Sequence, residues 1–394
     1  MSDLFLTGIG QLTTNDGPPV PDAVVAVEGG LVTYAGPASA APYQSGPRIE
    51  CEGRAVLPGF VDAHTHLIFA GDRSVEFARR MAGESYARIA ADGGGILATV
   101  AATRVAGEDE LFRLAADRVW RMIRAGTTTL EIKSGYGLDL ATELRLLRVA
   151  RRIGEELPVT VRTTFLGAHS VPTEYGSERD SYVDLVVEEM IPAVATLADY
   201  CDVFVEEGVF SVEEARRIFA AATAVGLPAR VHAEQLGHTG GAALAAEIGA
   251  VSADHLDHAT EEDAAALAGA GVTAVLVPGA SYTLRSRQAP GPMLFEAGCA
   301  LALATDCNPG TSYFESMAPI ISLAVVDMGL TVEQAVAAAT VGGARSLGLD
   351  DRGRLNQGAA ADLVVLDAPN ATHIPYRPGT NLVWRTYQGG LAVG

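Results

Sequence analysis

The sequence contains no CxxC pair. Its four cysteines, Cys51, Cys201, Cys299 and Cys307, are scattered, which fits neither a zinc knuckle nor a disulfide framework. They read as reduced packing residues, and only Cys307, next to Asp306, approaches a candidate site. Also missing is any basic cluster with interleaved aromatics, so nucleic acid has little support as a partner. No run of about 18 apolar residues occurs, and Met1-Ser2-Asp3-Leu4-Phe5-Leu6 carries no basic region ahead of an apolar stretch. The expectation is a cytoplasmic protein without membrane attachment. Low-complexity linkers and short-period repeats are absent too.

What the chain does contain is a large apolar fraction, 48% of 394 residues, enough for one large core plus a smaller one. The formal charge of -20 is spread through helix-like segments such as Glu108-Asp109-Glu110 and Glu261-Glu262-Asp263. That spread predicts a solvated acidic surface rather than a polyanion-binding face.

Short apolar strands alternate with helical stretches through most of the chain. The expected strands are 59–66, 127–133, 159–169, 202–206, 229–234, 251–255, 273–277 and 300–306. Between them, 108–125, 141–156, 212–225, 241–249 and 261–271 carry helical periodicity. Eight parallel strand-helix units predict an α/β fold, a (β/α)8 TIM-like barrel over residues 56–345. Residues 1–55 and 346–394 instead alternate strands with turns. Gly29-Gly30 between β-formers signals a hairpin, and Asp362 to Asp367 reads as a buried strand. A small β-sandwich domain assembled from both termini is the economical reading.

In His64-Thr65-His66, which closes the run Val56 to Ala63, residues two apart point to the same side of a strand, roughly 7 Å apart at the backbone. Both imidazoles can therefore grip one metal ion. Of eight histidines, His64, His66, His169, His232 and His255 all fall at expected C-terminal strand ends, the face on which barrels place chemistry. Asp306 ends the eighth strand. The expected ligands are His64, His66, His232 and Asp306, a donor set that suits one zinc or iron ion per subunit and leaves a position for water. His255 is either a fifth ligand or a group behind the ligands that polarises the carbonyl under attack; the latter is preferred.

Several segments then carry a resemblance: the Pro58-Gly59-Phe60-Val61-Asp62-Ala63-His64-Thr65-His66 run, the strand-end histidines, Thr305-Asp306, and the closing Gly353-Arg354-Leu355, Gly358 and Ala361-Asp362-Leu363-Val364. Together they look like the amidohydrolase superfamily. Phe69 to Arg73, Ser85-Tyr86, Gly93 to Ile96, Lys133-Ser134-Gly135-Tyr136-Gly137, Gly167-Ala168-His169, His232 to Gln235 and Asp306 to Gly310 narrow it. They are similar to the cyclic-amide hydrolases of histidine degradation, and the similarity spans essentially the whole chain. The resemblance implies that water opens 4-imidazolone-5-propanoate to N-formimidoyl-L-glutamate, through attack of a metal-activated water on the lactam carbonyl, and it suggests a homodimer.

On this reading Arg73 clamps the carboxylate tail. Tyr136, with Tyr86, binds tail or ring, and His169 hydrogen-bonds the ligand. Glu234 and Gln235 hold the ring nitrogens, and His255 stabilises the oxyanion. Asp306 moves the proton. Asn308, Gly310 and Thr311 form a ligand-contacting segment. The fourth strand ends in Glu206-Glu207, so a second ion bridged by Glu206 is conceivable, but the resemblance is to the mononuclear branch. The alternatives are a different cyclic amidohydrolase or heterocycle aminohydrolase, or a barrel that binds metal without catalysis.

Overall fold

The computed structural model describes residues 3–42, 47–84, 88–89 and 92–394. Sixteen strands fall into two sheets of eight among the described residues. The first comprises β1 (Leu4–Leu12), β2 (Val20–Glu28), β3 (Leu31–Pro37), β4 (Arg48–Glu50) and β5 (Ala55–Pro58) from the N-terminal part. The second is wholly parallel and runs in chain order: β6 (Phe60–Asp62), β7 (Thr127–Lys133), β8 (Thr160–Ala168), β9 (Tyr200–Val205), β10 (Ala229–Ala233), β11 (Ser252–His255), β12 (Thr273–Leu276) and β13 (Leu301–Leu303). The last three, β14 (Leu363–Leu366), β15 (Val383–Gln388) and β16 (Leu391–Ala392), return to the first sheet.

The barrel forms because its strands are buried on both faces while the helices between them are apolar on one. All seven residues of β7 are buried, as a strand covered by helices outside and packed inside must be. The helices start at side-chain caps: Asp139 accepts from Thr142 N ahead of Leu140–Glu156, and reciprocal capping boxes at Ser211/Glu214 and Thr260/Asp263 open Val212–Ala224 and Glu261–Ala270. Where β13 meets β6 the barrel is closed by Asp306 N donating to His64 O (2.9 Å), His66 N donating to Cys307 O (3.1 Å) and Thr305 N donating to Asp62 Oδ1 (2.9 Å).

Closure in this way shortens the first strand. The expected strand over 59–66 is divided: Ala55–Pro58 pairs antiparallel with β14 in the terminal sheet, and only Phe60–Asp62 pairs with β7. From Ala63 to His66 the backbone bonds in both directions, to the segment after β13 and, through Lys133 N donating to Thr65 O, to the end of β7. The changeover between sheets therefore falls at Gly59 rather than before Val56. A Cβ at Gly59 would overlap the Thr128 side chain, so the crossing needs glycine there.

In the terminal sheet, the β2–β3 hairpin turns through Gly29 and Gly30, both at positive φ. Its apolar cluster joins Val32 of β3 with Leu363, Val365 and Tyr387 from the other end of the sheet, so the sheet bends over its own core.

Candidate active site

Three of the expected site residues, and Leu256 beside one of them, lie at or just past strand ends where the backbone bends sharply. Glu234, His255, Leu256 and Asp306 all have positive φ although none is glycine, at 54°, 78°, 63° and 50°. Such conformations typically cost about 1–3 kcal/mol each and are held only by strong surroundings. Here they turn the side chains that follow β10, β11 and β13 at the barrel mouth.

The histidines and Asp306 converge. His64 Nε2 lies 3.2 Å from His66 Nε2 and 3.6 Å from Asp306 Oδ1, and His66 Nε2 lies 3.4 Å from the same oxygen. His64, His232 and His255 form a second close group, so two potential metal-holding triads share His64, and all five residues are buried. His64 Nδ1 sits 2.6 Å from Asp254 Oδ2; a carboxylate oxygen accepts, so Nδ1 carries the proton and Nε2 keeps its lone pair. His232 Nδ1 lies 2.9 Å from Asp202 Oδ2, at ion-pair distance though out of line for a hydrogen bond. Its Nε2 is buried with no hydrogen-bond partner. An orphaned imidazole nitrogen aimed among other lone pairs is what a metal ligand looks like before the ion is counted. Burial also holds His64, His66 and His255 well below the ordinary imidazole pKa, keeping them neutral, and pushes the Asp306 carboxyl well above the usual carboxylate range. A cation among these groups would relieve that burden. The residues present fit a metal ion.

Above the cluster opens a cavity of about 540 Å³ lined by His66, Arg73, Tyr136, His169, His232, Gln235, His255, Asp306, Asn308, Gly310 and Thr311. His169 stacks on His66 with ring centroids 4.9 Å apart, and its Nδ1 lies 3.0 Å from Gly135 O. Since a carbonyl only accepts, Nδ1 must donate, leaving Nε2 as an acceptor; burial lowers the ring's pKa to about 3. Tyr136 packs against both rings, 5.9 Å from His66 and 5.4 Å from His169. The Arg73 fork is partly used already: Nε and Nη2 donate to Glu76 at 3.0 and 2.5 Å, and the guanidinium presses on Gly310, where an added Cβ would overlap it. Position 310 is thus glycine for close approach, not for its turn. Asn308 is largely committed to its own loop, with Oδ1 accepting from Gly310 N and Thr311 N.

One expected residue is placed differently. Glu234 does not line the cavity; its carboxylate accepts from Thr239 N, Gly240 N and Ala242 N, capping the start of Gly241–Ile248. That position follows from the positive φ at Glu234, which sends consecutive side chains in different directions. Glu206, for which a bridging role was the less favoured reading, accepts from Glu207 N and Leu236 N and joins no metal-holding group among the described residues. Tyr86 lies outside the described residues.

Three further features shape the site. Arg80 and Arg285 also line the cavity, Arg80 donating to Gly310 O. Glu143 accepts from Gly135 N, Gly137 N and Leu138 N, holding the loop that carries Tyr136. Beneath the ligands lie Glu131, Lys133, Asp202, Arg230 and Asp254, all buried. The signal for these was a charge inside an otherwise apolar strand.

Barrel and mouth together define a hydrolase with a histidine- and aspartate-lined metal-holding centre. A model of the Amidohydrolase family matches residues 55–387. The imidazolonepropionase of Symbiobacterium thermophilum is 47% identical over 99% of this chain and 97% of its own length. That of Salinispora arenicola is 49% identical over 99% of each. The chain belongs to the amidohydrolase family and, within it, to the imidazolonepropionases. Among solved structures, an adenosine deaminase from Xanthomonas campestris with bound zinc superposes with TM-score 0.70 at 22% identity, over 99% of this chain and 92% of that one. A 5-methylcytosine deaminase from Klebsiella pneumoniae does so with TM-score 0.74 at 16% identity, over 99% and 97%. These two share the fold.

Proposed function

We propose that the chain hydrolyses 4-imidazolone-5-propanoate to N-formimidoyl-L-glutamate, with His64, His66, His232 and Asp306 holding one Zn²⁺ or Fe²⁺ per subunit. The observation that carries this reading is the buried donor set at the floor of a cavity whose wall offers an arginine fork. When bound, the ion acts as a Lewis acid that lowers the pKa of water and polarises the lactam carbonyl.

The chain's own residues do the rest. Arg73 and Tyr136 take the propanoate tail, which orients the flat ring toward the histidines. His169 Nε2, an acceptor, receives a ring N–H rather than the tail, and Gln235 fixes the ring from the other side. A water attacks the lactam carbon, forming the C–O bond, while Asp306 removes its proton. His255 faces the developing oxyanion. The C–N bond then breaks, and Asp306 returns the proton to the leaving nitrogen. Asn308, through its hold on Gly310 and Thr311, keeps the wall beside Arg73 in shape. A homodimer in the cytoplasm belongs to the same proposal, supported by family resemblance and checked by sedimentation and fractionation.

The test is incubation of metal-loaded protein with imidazolone propanoate, following formimidoyl-glutamate by mass spectrometry. Product formation that disappears in Asp306→Asn is expected. No product, with turnover of another lactam, would overturn the substrate assignment.

A further inference from the structure

The chain contains one lysine and 27 arginines. Everywhere else that a long cationic side chain occurs it is arginine, but Lys133, at the end of β7, is a fully buried ammonium at the barrel's centre. None of the hydrolytic steps uses it.

Its surroundings suggest a role. Lys133 Nζ lies 2.8 Å from Glu131 Oε1, 2.8 Å from Asp202 Oδ2 and 3.7 Å from Asp254 Oδ2. Asp202 and Asp254 are the two carboxylates that face Nδ1 of His232 and of His64. One ammonium therefore sits between the acceptors behind two proposed metal ligands, which reach it from β9 and β11. Arg230 braces the same group on one side, with Nη2 3.3 Å from Asp254 Oδ2 and 2.9 Å from Ala63 O, the residue before His64. Two cations thus face three carboxylates, leaving one excess negative charge under the ligands. An ammonium is a compact point charge that can serve acceptors in several directions, whereas a guanidinium is a planar fork. In a space fixed by three strands, the first shape meets three convergent carboxylates and the second does not.

We propose that Lys133 is a positioning residue of the metal centre. By fixing Asp202 and Asp254, it sets the orientation of His232 and His64 and so the affinity for the ion. The inference rests on the ligand assignment made above, and the experiment separates the two. Wild-type protein that binds no Zn²⁺ would refute the assignment itself.

Given wild-type binding, Zn²⁺ affinity is measured by chelator competition in wild type and Lys133→Met, and the visible spectrum of each is recorded with Co²⁺ in the site. Groups that hold metal-ligating histidines typically contribute about 10–100-fold to metal affinity. Lys133→Met is expected to lose affinity in that range and to shift the Co²⁺ bands, which report ligand geometry. Wild-type affinity and an unchanged spectrum, with only a lower melting temperature, would overturn the proposal.

Should the variant not fold, the single lysine allows a measurement on the wild type. Protein grown with ¹³Cε-lysine gives one lysine resonance, expected to shift in step with Zn²⁺ occupancy. A resonance unmoved through the titration would overturn the proposal.

Discussion

Arg73 shows how much one side chain's partners matter to a prediction about it. Its Nε and Nη2 edge is held by Glu76, which also accepts from Gly95 N at 2.8 Å. In the proposed binding mode the substrate's tail meets the remaining Nη1 edge. Losing one charge-assisted interaction, about 1.5–3 kcal/mol, raises KM for the carboxylate substrate by roughly 10- to 100-fold in Arg73→Ala. Because the same change strips Glu76 of its partner, the comparison is made in Arg73→Ala/Glu76→Gln as well. An analogue lacking the carboxylate should bind wild type and both variants alike in equilibrium titration. Legibility at this scale followed position. His64, His66, His232, His255 and Asp306 were readable because they lie at or a few residues past the C-terminal ends of apolar runs. Asp202, Asp254, Lys133 and Arg230 were not, because a strand read for its apolar pattern gives no hint that a charge inside it will find opposite charges on neighbouring strands.

Among elements, the loop after β7 depends on a helix for its shape. Glu143, in the first turn of Leu140–Glu156, supplies the acceptor for three buried backbone amides of the Gly135 to Leu138 loop. Glu143→Ala strands those amides at about 1–3 kcal/mol apiece before relaxation. We expect a net loss of about 2–4 kcal/mol in urea unfolding, with KM raised through Tyr136, and partial recovery in Glu143→Gln.

A second contact between elements is pH-dependent. His238 Nε2 lies 2.9 Å from Asp263, the residue that closes the capping box of Glu261–Ala270, and that hydrogen bond raises the imidazole pKa above its ordinary 6.5. With the folded value raised, the stabilisation is fully present below 6.5 and is lost as pH rises through the folded pKa. His238 is half exposed, so solvent screening keeps the effect to about 0.5 kcal/mol or less. His238→Ala should be slightly less stable than wild type at pH 5.5 and equal to it at pH 9. Helix and strand bounds were legible to within a residue or two for most elements, as at β7, but the strand expected over 300–306 stops at Leu303, where the backbone leaves the ladder toward Asp306. The first strand was not legible, since one continuous apolar run, Ala55 to Ala63, serves two sheets.

At the scale of the whole molecule, the terminal sheet depends on both chain ends. β5 pairs along its full length with β14, and Val56 shares a buried cluster with Leu363 and Val365. A chain stopped after Asp362 loses β14, β15 and β16 and exposes that cluster. It should aggregate or fail to show a cooperative thermal transition, whereas Leu363→Ala in the full chain should retain one and lose about 2–5 kcal/mol. A barrel assembled from consecutive strand-helix units was legible from local pattern. The β5–β14 pairing joins segments with the entire barrel between them, and no local pattern carries that information.

The same pairing sets an order of events during synthesis. β5 emerges from the ribosome roughly 300 residues before its partner, which at 5–20 residues per second is on the order of 15–60 s. Through that interval the edge of β5 and the apolar face of β1 and β2 stand open, while the barrel's parallel strands are being added one by one. Long-range pairing of this kind folds late and leaves an unpaired edge available to other chains. The charged, arginine- and glutamate-bearing β4 pairs with β1 beside β5 and leaves that edge uncovered, so it stays open until β14 arrives.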